Sequence, residues 1–123
     1  MYGKAARTYK QVDVRSATKP QVLDRLYERL LRDLSQAQQS ITAGDVHGKA
    51  ASLEHGHRIV TELQTALDDK TAPELCANLH ALYEFVAHQM TTASLDLDAR
   101  PLDSAKHVIS DLRSAFREAG NQQ

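Results

Sequence analysis

Tryptophan is absent from this chain of 123 residues, phenylalanine occurs twice, and the single cysteine is Cys76. One thiol cannot close an intrachain disulfide, so packing must hold the fold, and the reducing cytosol is its simplest home. With so few large aromatics the interior is expected to be aliphatic and rich in leucine. No stretch approaches the roughly 18 successive apolar residues of a membrane span, and the N-terminal segment lacks the apolar core of a secretory signal. Gly3 does not directly follow Met1, which excludes N-myristoylation. Strong charge of one sign is also missing: a formal net charge of -1 excludes steering of the whole chain onto nucleic acid.

Chemical motifs are equally scarce. There is no glycine-rich phosphate loop, no HExxH and no GxSxG. Cys76 stands among helical apolar residues, where a small inert thiol is expected. The six histidines raise the question of a metal. Glu54 and His57 have the Glu-x-x-His spacing of di-iron bundles, but such sites need two copies, and Glu84 and His88 are four apart. His55 and His57 project to different sides of a helix, and His80, Glu84 and His88 are expected to form a solvated polar face. No catalytic residue, metal ligand or cofactor is therefore assigned; a metal-binding or ferritin-like bundle stands as the alternative class.

What is present is helical periodicity. In "SATKPQVLDRLYERLLRDL", residues 16–34, Val22, Leu23, Leu26, Leu30, Leu31 and Leu34 recur at helical spacing, with Tyr27 on the same stripe. Thr18 and Pro20 suit a helix start, with Thr18 as the cap. In "AGD" at 43–45, Gly44 supplies a left-handed stop and Asp45 a cap for a second helix, whose stripe is Val46, Ala50, Leu53, Val60, Leu63 and Leu67. Pro73 opens a third helix carrying Leu75, Leu79, Leu82, Tyr83, Val86 and Met90 and fading near Leu97. Pro101 opens a fourth with Leu102, Ala105, Val108, Ile109, Leu112 and Phe116. No segment alternates with period two over strand length.

The expected fold class is all-α, an antiparallel up-down four-helix bundle with a flexible N-terminal leader. Residues 1–17 are the leader, 18–119 the bundle and 120–123 a frayed tail. Residues 1–20 carry five Lys/Arg against one Asp, a balance of +4 that leaves -5 for the other 103 residues. A basic arm bearing Tyr2 and Tyr9 thus precedes an acidic body and is expected to dock. Tyr27 and Tyr83 are expected at the core edge, rings packed and hydroxyls at a groove rim.

The chain resembles the FliS family of flagellar secretion chaperones. The resemblance is carried by Met1-Tyr2 and Tyr9, by "SATKPQVLDRLYERLL" with its Leu26-Tyr27 pair, by "AGD" with Lys49 downstream, by "IVTELQTALD" at 59–68, and by Leu82-Tyr83 followed by Phe85-Val86 and Ala93. Ser94, Phe116 and His57 depart from the family pattern, which commonly has Asn, often Trp and a small residue there. The resemblance implies a cytoplasmic export chaperone and no enzyme. It would bind the C-terminal helical segment of flagellin, prevent premature polymerisation and keep it competent for type III flagellar export. It further implies client contacts through Tyr2, Tyr9, Val14, Tyr27 and Tyr83, a leader that can lie over the same groove, and export-gate components as further partners. Nucleic acid and membrane insertion are not expected, and the chain would be a monomer or a weak homodimer.

Overall fold

The computed structural model describes the backbone of residues 19–121 and the side chains of residues 19–119. The expected leader, with Tyr2, Tyr9 and Val14, lies outside the described residues, as does Thr18. Four helices follow: α1 Pro20–Ala43, α2 Val46–Thr65, α3 Pro73–Asp96 and α4 Pro101–Asn121. Among the described residues there is no strand. Successive helices pack on one another and α4 closes against α1, so each helix has two neighbours and the all-α bundle surrounds one core.

The helix boundaries have local causes. α1, α3 and α4 open on proline, whose missing N–H would be unpaired in a first turn anyway. The N-cap of α1 is Lys19, which makes no side-chain capping bond. At the first turn Gly44 takes φ 73°, and the Asp45 carboxylate accepts the Gly48 N–H at 2.9 Å. α3 stops on Leu97 with φ 51° and ψ 44°, a left-handed conformation that disfavours any side chain, with the Asp98 N–H returned to the Ala93 carbonyl at 3.1 Å.

The core is aliphatic: Leu23, Leu30, Leu34, Leu63, Leu79, Leu102, Ile109 and Leu112 are all buried, joined by Tyr27, Tyr83 and Phe116. Three positions depart from the periodicity. Val22, Val46 and Ala50 are expected on buried stripes but are exposed, Val46 in the opening turn of α2. α2 also ends at Thr65, short of Leu67, which nevertheless turns into the core from the connection. Gly56 lies where α2 comes close to its neighbours: a Cβ there would sit 2.8 Å from Met90 Cε and 3.4 Å from Leu30 Cδ1.

Polar side chains tie the helices together at three levels. Asp33, buried on α1, accepts from His55 Nδ1 of α2 at 2.5 Å, while Arg29 donates to His55 Nε2 at 3.3 Å. Gln38 donates to Asp103 Oδ1 and the Ala99 carbonyl and accepts from Lys106 Nζ, which satisfies its amide across α1 and α4. Lys49 Nζ donates to the Ser94 carbonyl at 3.2 Å, anchoring the start of α2 to the end of α3.

Candidate functional site

The first turns of α1 and the last turns of α4 leave a groove of about 490 Å³, lined by Pro20, Gln21, Leu23, Asp24, Arg25, Tyr27, Phe116 and Arg117. Its apolar wall exists because the α1 stripe starts immediately after Pro20 while the α4 stripe runs on to Phe116 and Ala119. The rings of Tyr27 and Phe116 stack with centroids 5.9 Å apart and planes 18° from parallel.

Tyr27 and Tyr83 are brought together across the bundle, hydroxyl to hydroxyl at 2.6 Å. Both are completely or almost completely buried, at 0% and 1% exposure. The expectation that their hydroxyls reach a groove rim is thereby corrected. Each tyrosine lies deep enough in its stripe for its polar tip to meet the other in the core, where a hydroxyl must find a partner. Tyr27 still belongs to the groove, as part of its lining, whereas Tyr83 stands behind it.

An ionic clamp fixes the groove's edge. Arg113 and Arg117 both grip Asp24, their Nε atoms 3.0 and 2.7 Å from Oδ1, and Arg113 also reaches Glu28 at 3.1 Å. Hydrogen bonds from Arg113, then Arg117, hold the Asp24 carboxyl below its ordinary pKa against the opposing effect of burial. The reciprocal bond raises Arg113. Periodicity gave no sign of this clamp, because residues 24, 113 and 117 meet only through the packing of α1 on α4.

The residues weighed for chemistry are arranged otherwise. Glu54 pairs with Arg58 at 2.5 Å, and both line a shallow depression on α2 with His57, Thr61 and Glu62, away from the core. Burial lowers the His57 pKa. His80 bonds Asp69 at 3.3 Å, while Glu84 and His88 face solvent. Among the described residues no group of three or more His, Cys, Asp or Glu is placed to hold a metal ion. Cys76 is buried, its thiol donates to the Asp68 carbonyl at 3.3 Å, and burial pushes its pKa up, which makes it a poor nucleophile. Among the described residues no helix is long and apolar enough to cross a membrane.

The family model described as "Flagellar protein FliS" matches residues 1–123. Similar proteins include the flagellar secretion chaperone FliS of Escherichia coli K12, 26% identical, with 94% of this chain and 89% of that protein covered. The flagellar secretion chaperone FliS of Bacillus subtilis 168 is 27% identical over 90% of this chain and 82% of its own. The flagellar secretion chaperone FliSB of Pseudomonas aeruginosa PAO1 is 25% identical, with 92% and 93% covered. With a match over its full length and a four-helix bundle, the chain belongs to the FliS family of flagellar proteins.

Proposed function

We propose that this protein is a cytoplasmic flagellar export chaperone, without enzymatic activity, that binds the C-terminal helical segment of flagellin, prevents its premature polymerisation and keeps it competent for type III export. The observation that carries this is the family match over residues 1–123, with relatives named as flagellar secretion chaperones. The groove beside Tyr27 and Phe116 supports it, since an apolar wall between two helix ends suits an amphipathic segment. Such a segment, unassembled, would expose its apolar stripe and aggregate.

Within this function Tyr27 acts as groove lining and Tyr83 as the brace behind it. Tyr2, Tyr9 and Val14 in the leader contact or compete with the client, because the chain emerges at Lys19 beside the groove-lining Pro20. Export-gate components are the next partners after flagellin, and the chaperone works as a monomer or weak homodimer. A flagellin polymerisation assay tests the function: stoichiometric chaperone should suppress filament growth, and growth at an unchanged rate would reject it. A Gln21→Trp variant, which fills the groove mouth, should suppress less; suppression equal to the unmodified chain's would put the client elsewhere.

A further inference from the structure

The face shared by α3 and α4 differs from the rest of the surface in its charge. α3 contains no Lys or Arg anywhere along its length. The three Lys/Arg of α4 are all turned to α1, Lys106 on Gln38, Arg113 on Asp24 and Glu28, Arg117 on Asp24. At about 100° per residue, Ser94, whose carbonyl takes Lys49 of α2, marks the α2 side of α3. Leu82, Phe85 and Gln89 fall on the opposite flank, toward α4. On α4, the side away from the α1-facing arginines holds Asp111 and Glu118, with Val108 and Ala115 sunk almost flush beside α3. Counting back from the turn after Asp96, the antiparallel course sets Phe85 near the level of Asp111 and Leu112. Phe85 is 42% exposed and Leu82 partly so.

An aromatic and a leucine on a surface edged by Glu74, Asp111 and Glu118, with no Lys or Arg among its described residues, has the charge complement of one kind of occupant. His107 lies beside Asp111 on the same helix, its Nε2 3.2 Å from the carboxylate. We propose that this α3–α4 face is a second docking surface, distinct from the groove, for a cationic amphipathic helix of a partner protein. The partner would set its apolar stripe on Leu82 and Phe85 and its Lys/Arg over Asp111 and Glu118. The apolar centre supplies affinity, and the acidic edge supplies orientation and encounter rate. The proposal does not depend on the flagellin assignment, since it rests on α3 and α4 residues outside the groove.

The test uses the full chain and three labelled synthetic peptides of about 18 residues, near the length of α3. One carries a leucine stripe on a lysine background, one the same stripe on glutamate, and one the lysine composition scrambled. Fluorescence anisotropy should show saturable binding of the first, and binding of the other two at least about tenfold weaker. Phe85→Ser should weaken the first about tenfold, and Asp111→Lys with Glu118→Lys should weaken it and admit the glutamate peptide. Equal binding of the lysine and glutamate peptides, or of the ordered and scrambled ones, overturns the proposal, as does an affinity indifferent to both variants. Circular dichroism checks that the variants fold; should Phe85→Ser unfold, the charge-reversal variant decides alone. Sedimentation velocity of the unmodified chain should show no dimer that Asp111→Lys with Glu118→Lys removes; such a dimer would give the face to a second copy and overturn the assignment to a different protein.

Discussion

The hydroxyl of Tyr27 lies 2.6 Å from that of Tyr83, so two tyrosines 56 residues apart in the chain join α1 to α3 through the middle of the bundle. The bond makes the groove-lining Tyr27 part of the core's polar wiring, and Phe116 stacked on the same ring adds α4. Tyr27→Phe and Tyr83→Phe should each cost about 0.5 to 1.5 kcal/mol in urea unfolding, the net worth of one hydrogen bond. The double variant should cost less than the two single losses together, since the shared bond can be lost only once. Strict additivity would show that the two hydroxyls do not depend on each other. Tyr27→Ala also opens a cavity and should cost roughly 3 to 5 kcal/mol.

The Asp24 clamp gives the stability a pH signature. The folded state holds the Asp24 pKa below its ordinary 3.8, so the stabilisation is fully present above that value and is lost as pH falls through the folded pKa. Asp24→Asn should lower stability at neutral pH and flatten the acid side of the stability curve below about pH 4. Acid profiles of identical slope in the two proteins would contradict this. Asp68 and Asp98, lowered chiefly by hydrogen bonds from Thr71 and Arg100, keep their share of the acid loss in either protein.

His55 shields a carboxylate that has little access to water. The Asp33 side chain is only 10% exposed, and His55 Nδ1 is its neighbour across the helix interface. His55→Ala removes that donor and should cost about 1 to 3 kcal/mol. An unfolding midpoint unchanged in urea would show that the Asp33 carboxylate is satisfied without it.

Leu97 occupies a left-handed helix cap with its side chain 63% exposed. Glycine pays no Cβ penalty there, so Leu97→Gly should raise stability by about 0.5 to 1 kcal/mol. A loss of stability would mean that the exposed leucine makes a packing contribution larger than its backbone strain.

The repeating part of this structure was legible in the sequence because it follows from one-dimensional periodicity. Pro20, Pro73 and Pro101 mark three helix starts, Gly44 and Asp45 the first turn, and leucine spacing the buried stripes. Periodicity sees only one helix at a time, however. It could not say that Val46, in the first turn of α2, stays exposed, or that the tips of Tyr27 and Tyr83 meet in the core. The Asp24 clamp and the Asp33–His55 bond were hidden for the same reason, since their partners are 89, 93 and 22 residues apart. A buried aspartate on an apolar helix face could have been suspected from the position of Asp33, one residue before Leu34 and three after Leu30. The groove was invisible because it is a property of two helix ends and of neither alone.

The most direct measurement is an isothermal titration of the full chain with a peptide comprising the flagellin C-terminal segment. One-to-one saturable binding, with a negative heat-capacity change from apolar burial and a weaker affinity for the Gln21→Trp variant, is the expected result. No binding by a chain that circular dichroism shows to be folded, or an affinity unaffected by filling the groove, would contradict a groove-borne flagellin chaperone.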